Sequence, residues 1–593
     1  MNDYNIKELY EEMEMYLIKS MQRNLSRHLK EEQEVGFEYP QWQAIKLKEL
    51  KKYQRENKRI IKKYTFGLNK DVSENLQKEL RQGSLEAIKQ YNEIHKRRLN
   101  PDKLMTKSFF KTNQRKVNNL IKVVNNDLNK VNTSALRMMN DQYRQIIHKS
   151  AFFVGNGVIT EKQASEMAAA DIYSKKTTMQ AVDEASKNFL AGGLNCIEYK
   201  DGRRVNIASY SEMAVRTASL RAHLMGEGDF RKSIGRSLVK VTTHGGACKI
   251  CTAWQGKVLV DDVYSGGEPD GKHTLLSEAM AQGFLHPNCR HGLTTYYPEL
   301  EEDGYIEDDD NDELQDKINY YERQEKRFDR LSNGSLYSQN KENYQNRIEM
   351  VIEKEKELYK NKWNAENVYV NDLDINVVKE MDKSIEYNFS KYPELKKQIN
   401  GIGSIQGKNK SKIEEIQKYY ENLLEINNPD ASNLYIKKYA LKYAKELLPR
   451  APKNAYAISS FRENDRFKLN GIYIHNKWGN NFTMFIKNVE KDVRGKWHPD
   501  GTASIKAVVD HEFGHQLDCL LDLQNNDDII CLWKSLSKYQ VANGLSRYAN
   551  KNIKEFIAEA YSEYVNNDNC RDIAMKVGNV IEREYAKRFK VYG

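Results

Sequence analysis

The stretch Ala503-Ser-Ile-Lys-Ala-Val-Val-Asp-His-Glu-Phe-Gly-His-Gln-Leu-Asp-Cys-Leu-Leu521 carries two superimposed patterns. Ile505, Val509, Phe513, Leu517 and Leu520 recur at three- and four-residue spacing and predict the core-facing side of an α-helix. His511, His515, Asp518 and Asp522 fall on a different stripe. Two histidines four apart on a helix project from one face and can hold one zinc ion, and Glu512 beside the first is the general base of such a site. A dry back and a histidine-bearing front suit a metal site in a cleft. The competing interpretation is a surface helix with two solvated histidines.

A catalytic zinc site takes three protein ligands. A metzincin would carry glycine at 518 and histidine or aspartate at 521, so Asp518 and Leu521 exclude that class. Further on, residues 545–565 read LSRYANKNIKEFIAEAYSEYV, with Glu555, Glu559 and Glu563 four apart beside Phe556, Ile557, Ala560 and Tyr564. Acids so spaced fit either a solvated helix edge or a helix that delivers a ligand.

HEFGH at 511–515, Tyr548, and Glu555-Phe-Ile-Ala-Glu559-Ala-Tyr together resemble the zincin catalytic domain of anthrax lethal factor and its clostridial secreted relatives. The resemblance implies that His511, His515 and Glu555 hold one catalytic zinc, that Glu512 is the general base and that Tyr548 is a transition-state donor. It implies that Glu559, and in a similar part Asp518, orient ligands. A protein or peptide substrate bound as an added strand along a sheet edge follows from the same likeness. Residues 471–486 are the expected sheet, with Gly471–His475 and Phe482–Ile486 both read as strands.

The middle of the chain holds a second group of metal-binding residue types. Cys248-Lys-Ile-Cys251 and His286-Pro-Asn-Cys289-Arg-His291 form two knuckles whose cysteines and His286 fit a structural zinc site, with His244 and His291 as competing fourth ligands. Free thiols fit the spacing equally well, and a disulfide would need an oxidising compartment. The ordered series Ser209-Tyr-Ser-Glu-Met-Ala-Val-Arg-Thr-Ala, Gly226-Glu-Gly-Asp, His244, Cys248-x-x-Cys251-x-x-Trp254-Gln-Gly256 and His286-Pro-Asn-Cys289-Arg290-His291 resembles minor capsid proteins of tailed phages related to the Mu head-morphogenesis (MuF-like) group. That likeness implies a virion component made in the bacterial host cytoplasm, associated with portal and capsid proteins. Some members of the group end in variable toxin domains. Trp254, Tyr296 and Tyr297 read as core aromatics, while Arg216 and Arg290 are solvated or salt-bridged unless they contact DNA or partner subunits.

Between these regions the composition changes. Residues 301–313 read EEDGYIEDDDNDE, a like-charge run expected to be a solvated linker. Asp308, Asp310 and Asp312 alternate as in a calcium loop, but Glu313 stands where such a loop needs glycine. Leu314, Ile318, Tyr321, Phe328, Ile348, Ile352 and Tyr359 then give a sparse apolar seam, the mark of a helical connector or coiled coil that serves as a spacer. Tyr39-Pro40, Gly155-Asn156-Gly157 and Gly192-Gly193 are expected breaks between amphipathic helices, in which Ile6, Leu9, Tyr10, Met13 and Leu17, and later Val117, Leu120, Ile121, Val124, Leu128 and Val131, recur at helical spacing.

The whole chain therefore reads as multidomain. A mainly α-helical α+β capsid-associated region spans 1–300, helical to 190 and compact with Cys/His from 190. An acidic and then charged helical linker spans 301–365, and an α+β zincin metallopeptidase spans 366–593. Of 593 residues 39% are hydrophobic and 30% charged, and no run approaches the roughly 18 apolar residues of a spanning helix. The N-terminus lacks the pattern of a signal peptide, and seven cysteines are too few for a disulfide scaffold. The formal charge of +10 is a small difference between 94 basic and 84 acidic residues, and supports DNA contact only weakly. The expected function is a phage or prophage minor capsid protein with a zinc endopeptidase at its end, a candidate toxin. The alternatives are a structural head-assembly protein whose zincin domain is inactive or processes capsid partners, and a virion-independent toxin.

Overall fold

The computed structural model describes residues 6–27, 39–96, 99–154, 177–244, 247–287, 289–298, 312–363, 365–448, 450–462, 465–567 and 569–589. The expected turn at Gly155-Asn156-Gly157 and the acidic run to residue 311 lie outside them. The fold is mostly helical with a few small sheets. It divides into two compact units, one of residues 3–315 and 323–349, the other of 316–322 and 350–593.

In the first unit the long helices are α1 (Ile6–Ser26), α2 (Leu50–Tyr64), α3 (Leu68–His95), α4 (Lys111–Phe153), α5 (Thr178–Gly192) and α6 (Ile207–Ser233). The apolar stripes end up where the periodicity puts them: Tyr10, Met13 and Leu17 of α1 and Val117, Val124, Leu128 and Val131 of α4 are buried in one core. Gly193 closes α5 in the left-handed region, where glycine carries no Cβ penalty. The Gly226-Glu-Gly-Asp motif is a packing device. A Cβ on Gly226 would meet the Leu80 carbonyl of α3 at 1.9 Å, and one on Gly228 would meet the Tyr264 backbone at 2.6 Å. Asp229 then accepts from buried Asn113 Nδ2 at 2.9 Å. After a small hairpin of β1 (Ile197–Glu198) and β2 (Arg204–Val205) comes an antiparallel sheet of β3 (Leu238–Val241), β4 (Val258–Val260) and β5 (Leu293–Thr295), with β3 central. Trp254 and Tyr297 are buried as expected, Tyr296 is half-buried, and Arg216 and Arg290 are exposed.

The charged segment expected as a spacer forms α7 (Asp312–Gly334) and α8 (Ser338–Trp363), and neither is a solvated rod. In the first unit Leu331 is buried, Arg330 donates to the Leu190 carbonyl, and the Asp183 carboxylate accepts the Leu336 and Tyr337 N–H groups where α8 begins. In the second unit Ile318, Tyr359 and Trp363 join the core. A seam too sparse for a core of its own is buried when existing cores lie on it.

The second unit continues with α9 (Ile375–Lys391), α10 (Ile405–Asn427), α11 (Asn433–Leu447), α12 (Phe482–Arg494), α13 (Ile505–Leu521), α14 (Ile553–Asn566) and α15 (Asp572–Phe589). Its sheet has the order β6 (Asn367–Tyr369), β7 (Gly401–Ser404), β9 (Gly471–Ile474), β8 (Ala457–Ser460), the first three parallel and β8 an antiparallel edge. Gly471–Ile474 is a strand as expected, but Phe482–Ile486 is not. It opens α12, because Asn481 caps the helix by accepting the Met484 N–H and because Phe485 and Val489, one turn apart, are both fully buried. A five-residue apolar run does not distinguish strand from helix, and the cap decided it.

Candidate metal centre

Helix α13 starts where Ser504 accepts the Ala507 N–H and stops at Asp522, whose φ of 56° turns the chain left-handed. Ile505, Val509, Phe513 and Leu517 are fully buried and Leu520 half-buried, so the expected apolar stripe is the core face. The other face is not a solvated front, because Asp510, Glu512, Gln516 and Asp518 are buried too. Asn552 caps α14 through the Glu555 N–H and fixes where its acids point. The two helices meet at Gly514, where a Cβ would lie 2.8 Å from Ala558 Cα. This glycine inside HEFGH lets the backbones close, and the histidines of one helix reach the carboxylates of the other.

Glu555 Oε2 lies 3.3 Å from His511 Nε2 and 3.3 Å from His515 Nε2. The three candidate ligand atoms are within 4.8 Å of one another. Glu555 Oε2 is buried and accepts no hydrogen bond, whereas its partner Oε1 takes Lys551 Nζ at 2.7 Å and the Tyr548 hydroxyl at 3.2 Å. An unsatisfied carboxylate oxygen facing two imidazole Nε2 atoms is the donor set that zinc selects, so the residues fit the ion. Glu559 Oε1 sits 2.9 Å from His511 Nδ1 and 2.9 Å from His498 Nδ1. A carboxylate beside the second ring nitrogen is the usual outer partner of a histidine whose Nε2 ligates a metal.

The electrostatics follow from burial set against these contacts. Burial raises the Glu512 carboxyl above its ordinary range, opposed by the positive charge of His511 and His515, and the Ser459 N–H of β8 faces it. Burial disfavours the His511 imidazolium, yet Glu555 and Glu559 outweigh it and lift the group to about 10. The same histidines overcome burial at Glu555 and hold it far below the carboxylate range, while His498 and His511 bring Glu559 to about 2. Burial raises the Tyr548 hydroxyl.

The structure thus brings His511, His515, Glu512, Glu555, Glu559 and Tyr548 to one place. Asp518 is committed elsewhere: its Oδ1 accepts the Gln524 N–H at 2.7 Å and closes the turn after α13. Glu563, the third spaced acid, is fully buried and pairs with Arg571. Sequence reasoning missed His498 and Lys551. Lys551 had a signal, four residues before Glu555 in the i, i+4 relation; His498, in the turn after α12, had none. In the first unit Cys248, Cys251 and His286 converge within 4.8 Å, as do Cys251, Cys289 and His291.

Neither a curated protein nor a solved structure matches the chain. The family described as phage minor capsid protein 2 matches residues 3–176 and 168–376, more than half of the sequence. Its partners are accordingly phage structural proteins, and among the described residues no helix is long and apolar enough to cross a membrane. The match ends at residue 376, before the HEFGH helix begins, and covers the first unit, the connector and the opening of the second unit through β6: the chain belongs to the phage minor capsid protein 2 family.

Proposed function

We propose that this minor capsid protein, of the MuF-like kind, carries a zincin endopeptidase in its second unit, an effector or toxin delivered with the particle. The observation that supports this most is the convergence of His511 and His515 Nε2 on the hydrogen-bond-free Glu555 Oε2. Zinc held by His511, His515 and Glu555 would supply Lewis-acid polarisation of a peptide carbonyl and acidify water. Glu512, buried against the Ser459 N–H, accepts the proton of the attacking water and returns it to the leaving amine. The Tyr548 hydroxyl, held by Lys551 at 3.0 Å, donates to the oxyanion. Glu559, held by His498, sets its carboxylate beside His511 Nδ1.

Strand β8 supports a peptide substrate. It is an edge of the sheet, paired with β9 on one side, and Gln516 of α13 donates to Ser459 Oγ and so fixes the edge beside the HEFGH helix. An extended peptide adding there gains main-chain hydrogen bonds and brings its carbonyls past Glu512. The family match favours a second reading of the same chemistry, in which the endopeptidase processes capsid partners during assembly.

The full-length protein incubated with a mixed peptide library is expected to produce internal cleavages by mass spectrometry. Treatment with a chelator should remove them, and stoichiometric zinc should restore them. Intact peptides in the presence of zinc-loaded protein would contradict the proposal.

A further inference from the structure

Two tight turns of the first unit face each other. In the first, Cys248 caps the one-turn helix Lys249–Thr252, and its Sγ accepts the Cys251 N–H at 3.5 Å. In the second, just before β5, the Cys289 N–H donates to the His286 carbonyl at 2.9 Å. A backbone N–H directed at the sulfur of the first cysteine in a Cys-x-x-Cys turn stabilises thiolate character there. Each turn presents two ligand-type side chains toward the other.

Two groups of three that share Cys251 each lie within 4.8 Å: Cys248, Cys251 and His286, and Cys251, Cys289 and His291. Cys248 Sγ lies 3.1 Å from His286 Nε2, and Cys251 Sγ lies 3.7 Å from Cys289 Sγ. Two thiolates on one tetrahedral zinc, each about 2.3 Å from it, are separated by about 3.8 Å. His286 Nδ1 donates to the Pro287 carbonyl at 2.7 Å, which leaves Nε2 as the nitrogen turned toward Cys248 Sγ. His291 Nδ1 is 3.3 Å from Cys289 Sγ, and this ring is almost wholly buried. An N–H donated there offsets the surplus negative charge of three thiolates on a divalent ion. Cys251 is buried as well, so the centre of the cluster is shielded.

We infer that Cys248, Cys251, Cys289 and His286 hold a structural zinc ion that ties the loop after β3 to the loop before β5, with His291 as a hydrogen-bond donor to Cys289. The ion clamps one end of the small sheet: the two loops lead from β3 and into β5, which pair with each other, and β4 lies between them in sequence. A unit with only three short strands here gains a cross-link between distant parts of the chain, the usual role of a closed Cys/His site.

The test uses the full chain with His511→Ala and His515→Ala, which removes the other candidate site, so its outcome is independent of the protease proposal. Purified without chelator, this variant is expected to contain one zinc per chain. Adding Cys251→Ser or His286→Ala should bring zinc close to zero, and adding His291→Ala should leave it near one. Cobalt exchanged into the variant with all cysteines intact should give thiolate-to-metal charge-transfer absorption and tetrahedral d–d bands, a readout that needs no mutation of the cluster. A metal-free protein, a Cys251–Cys289 disulfide in the freshly purified chain, or zinc that depends on His291 but not on His286 would each overturn the assignment.

Discussion

Glu512→Gln is expected to lower peptide cleavage by about a thousandfold, within the range general-base removal produces, while zinc content stays unchanged. The amide has the carboxylate's shape and still accepts the Ser459 N–H that faces residue 512. It cannot take a proton from water. The candidate ligand atoms belong to His511, His515 and Glu555, which the substitution leaves in place. The loss should therefore fall on kcat with KM little changed, since an interaction needed only in the transition state is removed. Glu555→Ala should behave differently and lose both metal and activity, because it deletes the oxygen on which both imidazoles converge. Full cleavage by Glu512→Gln, measured on the same peptide with the same zinc content, would place the base elsewhere.

The second large effect is on stability. Asp510 immediately precedes the first motif histidine and is fully buried. Its Oδ1 accepts from Ser384 Oγ and from Asn388 Nδ2 at 2.8 Å, and its Oδ2 accepts from Lys506 Nζ at 2.7 Å and from Asn566 Nδ2 at 2.8 Å. These donors come from α9, α13 and α14, so one carboxylate ties both helices of the candidate metal centre to a third. Asp510→Ala removes the only charge that answers Lys506 within this network and the acceptor of four hydrogen bonds, a loss of about 3–5 kcal/mol by the precedent of broken buried pairs. In the metal-free protein, where ligand binding does not contribute, the melting midpoint of the second unit should fall by roughly 10 °C. Ser384→Ala, which removes one neutral donor, should cost about 1 kcal/mol. An Asp510→Ala midpoint within a degree of wild type would show that the network does not hold the helices together.

How much of this was legible in the sequence depended on whether the signal was local. His511, His515, Glu555 and Glu559 are two i, i+4 pairs on two helices, and helical spacing alone puts each pair on one face. Meeting of the two faces rested on Gly514, which reads as an ordinary motif residue until Ala558 is seen against it. His498 reaches Glu559 from a turn 61 residues away, a distance no periodicity encodes. Phe482–Ile486 misled because an apolar run of that length serves either structure, and the Asn481 cap outweighed it. The charged connector misled in the opposite direction: composition described its exposed faces, while Leu331, Tyr359 and Trp363 found cores supplied by residues far away in the chain. In the first unit Gly226 and Gly228 stood out as a motif, and their reason is the approach of Leu80 and Tyr264.

Helices α13 and α14 are proposed to hold a zinc ion between His511, His515 and Glu555. A crystal of the zinc-loaded full chain, with anomalous diffraction recorded on both sides of the zinc edge, measures it directly. An anomalous peak is expected about 2.0–2.2 Å from both Nε2 atoms and from a Glu555 carboxylate oxygen. Zinc-loaded crystals with no anomalous density between these three side chains would contradict it.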